Sequence, residues 1–327
     1  MMLFPVKIAT ARTQLACFQS VFHIIRKVPW RASPIPAEAA RAGRVPAAGI
    51  ELRQIKENLM DFNNKNVLIS GGSSGIGFSI AKEFVKAGAN VSLLARREAL
   101  LKTAVEELDK IKIAESQRVS YFSADVGNFE SLQKTLKDKA TQFDFLINCA
   151  GIAYPGEFTS MKPEIFADVM QINYLGTVYL TKLVVPGMVE RRSGYVVNIS
   201  SLAALIGIYG YTAYAPSKYA VRGFSRCLRS ELKAYGIDVS VVFPSDTDTP
   251  QLAFEHSIIP DITRKINENG GVMNPDKVAQ IIMRGIRRRK FTIVPGLEGN
   301  VLYAFSSILG RYFYWLAVRE HRKVLKD

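Results

Sequence analysis

From Lys65 onward, short apolar runs and longer amphipathic stretches take turns along the chain. Val67–Ser70, Val91–Leu94, Val119–Ser123, Phe145–Ile147, Tyr195–Ile199, Val239–Val242 and Phe291–Val294 are short and mostly apolar. Their length and flanking polar residues predict seven strands. Between them, the sequence predicts helices over Phe78–Ala87, Glu98–Ile113, Phe129–Thr141, Pro163–Arg191, Thr212–Tyr235 and Pro275–Arg289. Pro163 stands near the start of its helix, where a missing N–H does no harm. Strands that alternate with helices imply an α/β fold with a parallel sheet covered on both faces. Right-handed crossovers then give a doubly wound, seven-stranded sheet with its ligand site at the carboxyl ends of the strands.

Two segments stand outside this pattern. Residues 1–59 carry no acidic side chain before Glu38, and Ala, Pro and Arg dominate the stretch from Arg31 to Ala48. The segment reads either as an organelle-targeting sequence or as an over-extended start, and in neither case as part of the fold. Residues 60–296 form the single expected domain. Residues 297–327 form a helical C-terminal extension, strongly apolar over Val301–Val318, interrupted by Arg311 and followed by Arg319-Glu-His-Arg-Lys323. A central arginine argues against a clean bilayer span. An interfacial helix with snorkelling basic residues fits the pattern, as does a tail packed on the core or at a dimer interface.

The formal charge of +14 is unevenly placed. Residues 60–283 hold 24 basic and 23 acidic side chains, so the excess lies at the two ends. The aromatic residues cluster in apolar runs and do not interleave with the basic ones, which disfavours a nucleic-acid partner. The basic end favours a peripheral membrane surface. Three scattered cysteines supply neither a disulfide framework nor a zinc site. Cys149 and Cys227 are expected to be buried.

Four strands end in candidate chemistry. The first runs into Ser70-Gly-Gly-Ser-Ser-Gly-Ile-Gly77, where Gly71, Gly75 and Gly77 precede a helix. Such a loop lets backbone approach a pyrophosphate while the helix N-terminus presents N–H groups. Ser73 and Ser74 add hydroxyls, and Ile76 lies within the same turn. The second strand ends in Ala95-Arg96-Arg97, with no acid until Glu98. Arginine there suits a ribose 2′-phosphate, so NADPH is the expected cofactor, with Arg96 the first choice and Arg97 the second. The fifth ends at Ser201, a donor to a carbonyl oxygen. Tyr214 and Lys218, four apart, share a helix face, and a nearby ammonium is expected to lower the phenol's pKa for proton donation. Asn173 is an unusual mid-helix residue; it suggests a kink or a water held against Lys218.

Gly71-x3-Gly-x-Gly77, Asp125, Asn148-Cys-Ala-Gly151, Asn173, Ser201 and Tyr214-x3-Lys218 stand in the order and spacing of the short-chain dehydrogenase/reductase family, which this chain resembles over residues 65–250. The resemblance implies a Rossmann-like fold, a catalytic tetrad of Asn173, Ser201, Tyr214 and Lys218, and a nicotinamide cofactor. It further implies that Lys218 and Tyr214 contact that cofactor, with Asp125 and Val126 at adenine, Asn148 near the ribose and Thr247 also in contact. Ser70 departs from the family's usual threonine but keeps a hydroxyl.

Within the family, Ile172-Asn-Tyr-Leu-Gly176, Gly210-Tyr-Thr-Ala-Tyr214 and Pro244-Ser-Asp-Thr-Asp-Thr-Pro250 resemble the branch that reduces long-chain-base ketones with NADPH. That branch implies a lipid ketone substrate, 3-ketodihydrosphingosine. It places the protein in the cytoplasm or on the cytoplasmic face of a membrane, the endoplasmic reticulum in a eukaryote. Leu202–Tyr211 is expected to line an acyl channel, and Ala253–Met273 to form a mobile lid. Asp246 and Asp248 are candidates for a substrate ammonium or for capping. Another bulky ketone (steroid or retinoid) and a non-enzymatic dinucleotide sensor or scaffold are the other readings, and a homo-oligomer is compatible with all of them.

Overall fold

The computed structural model describes residues 60–267 and 271–324. The N-terminal extension read from the sequence lies outside the described residues. Seven strands, β1 (Asn66–Ser70), β2 (Asn90–Ala95), β3 (Val119–Ser123), β4 (Phe145–Asn148), β5 (Gly194–Ile199), β6 (Ile237–Val242) and β7 (Thr292–Ile293), form one sheet in the order β3-β2-β1-β4-β5-β6-β7. Every neighbouring pair is parallel. The order reverses between β1 and β4, where Ser70 pairs with Asn148. A crevice opens at such a reversal because the connections leave toward opposite faces.

The period of two explains why the strands look uniformly apolar. Val67 and Ile69 of β1, Phe145 and Ile147 of β4, and Tyr195, Val197 and Ile199 of β5 face one layer. Leu68, Leu146 and Val196 face the other. The first layer is covered by α1 (Gly75–Lys86), α2 (Glu98–Asp109) and α9 (Pro275–Arg287) through Ile80, Phe84, Leu101, Ile282 and Ile286. The second is covered by α3 (Phe129–Leu136), α5 (Gly176–Glu190) and α6 (Tyr214–Leu232) through Leu132, Leu180, Val184 and Leu232. Where both faces are covered, as at β1, β4, β5 and β6, nearly every strand position is buried, whereas the edge strand β3 keeps Ser120 and Ser123 exposed.

The long helix expected over Pro163–Arg191 is interrupted. It comprises α4 (Pro163–Met170), a wide turn at Gln171–Leu175, and α5. At the wide turn the Gly176 N–H donates to Gln171 O, five residues back. Cys227, expected to be buried, is exposed. The buried stripe of α6 runs through Val221, Ser225 and Leu232, and the helical period leaves Cys227 outside it.

The region expected as a lid contains two short helices, α7 (Pro250–Ile258) and α8 (Asp261–Asn267). Thr249 caps α7 by accepting from Leu252 N at 3.3 Å, and Pro250 occupies the first turn. Leu205 and Ile206, expected to line a channel, are instead packed against Phe243 and Tyr303. Tyr303 belongs to α10 (Leu297–Val324), whose helical geometry breaks at Phe305. Among the described residues, no helix is long and apolar enough to cross a membrane.

Candidate active site

At the reversal between β1 and β4, one hydroxyl ties the end of β1 to the turn that follows β4. Ser70 Oγ accepts from Cys149 N at 3.1 Å and Ala150 N at 3.2 Å, fixing the Asn148–Gly151 turn beside the glycine loop. The departure from threonine therefore leaves this link intact. In the loop, a Cβ at Gly77 would stand 2.3 Å from Gly71 O, so only glycine lets α1 start this close to the strand end. Ser73, Ser74, Gly75 and Ile76 complete the turn into α1, whose first N–H groups face outward from its start. Such a cradle fits a pyrophosphate.

Arg96 follows β2, and its guanidinium stands 3.8 Å from Asp125. Both side chains are about half exposed. Asp125 also accepts from Gly127 N at 2.9 Å, which fixes the turn that carries Val126. Asn148 turns its side chain inward, donating to Thr181 Oγ1 at 3.1 Å and Asn198 Oδ1 at 2.8 Å. Its own Oδ1 is buried without a protein partner, a position that suits an ordered water.

The tetrad residues converge at the carboxyl edge of the sheet. Asn173 sits in the wide turn and is 1% exposed. Its amide forms a pair with the backbone of Ile152, accepting from N at 2.8 Å and donating to O at 2.9 Å. It also donates to Ser217 Oγ at 2.9 Å. The mid-helix asparagine is thus accounted for: it ties the bent helix both to the segment after β4 and to α6. Ser217 donates to Tyr214 O at 2.6 Å. A Cβ at Gly151 would lie 3.1 Å from Asn173 Oδ1 and 3.3 Å from Lys218 Nζ, so both groups crowd the same point of the backbone, which only glycine leaves free.

Lys218 is 5% exposed and donates to Ile199 O at 3.1 Å. Its ammonium lies over the Tyr214 ring, 5.6 Å from the centroid. Burial pulls its pKa down to about 8. Ser201 lies two residues past the end of β5 and accepts from Ala203 N at 3.1 Å; burial raises the Tyr214 phenol pKa, and its hydrogen bond with Ser201 offsets part of that rise. Ser200, its neighbour, points the other way and donates to Lys218 O at 2.9 Å.

One expectation is corrected. The phenol of Tyr214 is expected below its usual range, yet it lies above it, first because of burial and next because of Glu255. For reduction this direction is useful. An alkoxide formed at a ketone carbon is a far stronger base than a phenolate, so the acid stays loaded until the alkoxide appears.

The Pro244–Pro250 loop closes the other side. Thr247 is buried and bridges to Met273, with Met273 N donating to Asp246 O at 2.8 Å and Asp248 N to Met273 O at 2.9 Å. Thr249 packs against Gly75, bringing this loop onto the glycine turn. Neither Asp246 nor Asp248 caps α7; Thr249 does so. The acid buried near the phenol is Glu255, on α7, which sequence reading did not single out. Its signal was a lone carboxylate within the apolar run Leu252–Ile259, four residues after Gln251.

A parallel sheet of this order, a glycine cradle at its reversal and a Ser-Tyr-Lys set gathered around a buried lysine define a nicotinamide-dependent oxidoreductase. The profile of the short chain dehydrogenase family matches residues 65–257. The chain belongs to the short-chain dehydrogenase/reductase family, whose members act on the CH–OH group or the corresponding ketone. It is similar to a 3-dehydrosphinganine reductase of Danio rerio, with 41% identity over 251 residues covering 76% of each chain. It is similar as well to a 3-ketodihydrosphingosine reductase of Bos taurus, with 41% identity over 245 residues and 74% of each chain. Among solved structures, a short-chain dehydrogenase from Sphingobium yanoikuyae in complex with NADPH aligns with a TM-score of 0.64 and 26% identity, covering 80% of this chain and 95% of that one.

Proposed function

We propose that this protein reduces the 3-keto group of 3-ketodihydrosphingosine to an alcohol, with NADPH as the reductant. The observation that carries the reading is the Ser201–Tyr214–Lys218 set at the carboxyl edge of the sheet, with Lys218 buried and Ser201 and Tyr214 half-buried, in a chain whose relatives bear that activity in their names. NADPH, when bound, supplies the hydride that the carbonyl carbon accepts. Ser201 donates a hydrogen bond to the carbonyl oxygen and orients it. Tyr214 gives its proton to the same oxygen as charge develops there, so one hydride and one proton complete the alcohol. Lys218, cationic and close to the phenol, stabilises the phenolate left behind. Gly71–Gly77 and the start of α1 would hold the pyrophosphate, and Arg96 would pair with the 2′-phosphate.

The test is direct. Purified full-length protein is given NADPH and 3-ketodihydrosphingosine, and cofactor oxidation and dihydrosphingosine are both followed. Turnover of a steroid or retinoid ketone without turnover of the sphingoid ketone would reject the substrate. Cofactor binding without turnover of any ketone would favour a sensor.

A lipid substrate is reached at a membrane surface, and α10 supports such a placement. Beyond the break at Phe305, Tyr314 and Trp315 are exposed and Arg319 lies over the Trp315 ring at 4.9 Å, a composition suited to a bilayer interface. Removing residues 306–327 should release the protein from anionic vesicles in a sedimentation assay. Unchanged sedimentation would reject this part.

A further inference from the structure

The catalytic pocket holds a charge that proton transfer to a ketone does not require. Glu255 is 7% exposed. Its Oε2 accepts from the Tyr211 hydroxyl at 2.8 Å and its Oε1 from Gln251 Nε2 at 3.0 Å. Both donors are neutral. None of the ion pairs among the described residues involves Glu255. Each carboxylate oxygen has a second lone pair to offer.

Tyr211 connects this carboxylate to the chemistry. Its ring lies 5.8 Å from that of Tyr214, centroid to centroid, so one aromatic residue separates Glu255 from the proton donor. The field of Glu255 reaches the phenol and, with Asp246 of the preceding loop, disfavours the phenolate. The groups that face Glu255 are Tyr211, Gln251, Asp246 and His256, with Tyr214 and Lys218 beyond. Burial without a full cationic partner pushes the Glu255 carboxyl up. The arrangement is unfavourable twice over, for the carboxylate itself and for the phenolate the reaction must leave. A cation entering beside the ketone would relieve both.

A second observation points the same way. Phe254, one residue before Glu255 on α7, is 46% exposed and meets the exposed Tyr154 ring at 6.0 Å. Adjacent residues of one helical turn thus present a carboxylate inward and an aromatic surface outward. That is the pattern for an amphiphile with a charged head and an apolar chain.

We propose that Glu255 receives the ammonium of a 2-amino ketone and selects such substrates over ketones of equal length without the amine. The proposal rests on the reductase reading above and adds to it the group that reads the nitrogen. In a 2-amino-3-ketone the nitrogen is two bonds from the carbonyl carbon, so with the oxygen held by Tyr214 and Ser201 the ammonium stays close to the phenol, and the acids acting on that phenol are Glu255 and Asp246. The carboxylate, met so far by neutral donors alone, then gains a cationic one.

Full-length wild-type protein and Glu255→Gln are compared with NADPH on 3-ketodihydrosphingosine and on the same ketone lacking the 2-amine. Glutamine keeps an acceptor for Tyr211 but not the charge. The ratio of kcat/KM for the two ketones should fall by roughly 10- to 100-fold in the variant. An unchanged ratio would overturn the role of Glu255. Wild-type protein that reduces the amine-free ketone but not the amino ketone would instead overturn the substrate reading. Independently of any variant, a long-chain primary amine should inhibit the wild type competitively at roughly tenfold lower concentration than the matching alcohol. Equal inhibition would also reject the proposal.

Discussion

The two ends of the candidate cofactor cleft carry charges in opposite surroundings. At the adenosine end, the Arg96 and Asp125 side chains are 58% and 43% exposed and stand 3.8 Å apart. At the nicotinamide end, Lys218, Tyr214 and Glu255 are packed into the protein, and each is moved from its usual pKa chiefly by burial. An exposed pair is cheap to make and to exchange, because water and salt screen it. It can be rearranged at little cost when a ligand arrives. A buried charge cannot be ignored in this way; it sets the proton affinity of its neighbours and so belongs to the reaction.

The largest test of this contrast is Tyr214→Phe. Losing the acid should lower kcat by about 10²–10⁴-fold while NADPH binding, followed by its fluorescence, is retained. A variant within tenfold of wild type would show that the buried end does not supply the proton.

Next in size is Lys218→Met, read as stability. A lysine that titrates near 8 when folded and at its ordinary value near 10.5 when unfolded binds fewer protons in the folded state between those pH values. Stability therefore rises with pH across that window, and at pH 7 the burial costs about 3 kcal/mol. The methionine variant, inactive, should be the more stable protein at pH 7 by denaturant unfolding. Its advantage should shrink as pH climbs from 8 toward 10.5. A constant difference across that range would place the ammonium in a solvated setting and blur the contrast.

The smallest effect belongs to the exposed end. Arg96→Ala should weaken NADPH by roughly tenfold and NADH by much less, and added salt should reduce that difference. Equal weakening of both cofactors would remove the phosphate from Arg96.

Much of this was legible in the chain because the signals are local. The Val67–Ser70 run, the glycines after it and the Tyr214–Lys218 spacing each depend on residues within one turn or one strand. Asn173 was legible as an anomaly, yet its partners Ile152 and Ser217 come from distant segments that only the folded sheet assembles. Glu255 showed in the chain only as a lone carboxylate among apolar neighbours, with nothing to mark it as part of the site. Nothing near it in sequence says that α7 folds back over Tyr211, and the Asp residues of the Pro244–Pro250 loop were the more visible acids. The raised pKa of Tyr214 escaped for the same reason: burial is a property of the assembled pocket, whereas Lys218 is four residues away and easily seen. Leu205 and Ile206 were misassigned because an apolar stretch looks the same whether it lines a channel or fills the space under Tyr303.

The wide turn at Gln171–Leu175 is, in effect, an insertion carried inside a helix. One additional residue per turn shifts the phase of everything after it by about 100°. Residues before the turn and residues after it therefore obey two different rotational frames along one rod. Asn173 is aimed at Ile152 and Ser217 only while that offset persists, and Leu180 and Val184 meet the sheet in the second frame. Removing a single residue here would regularise the coil and throw one set or the other out of alignment. Length changes should thus be least tolerated in the middle of a helix, while the surface loops of the same protein accept them.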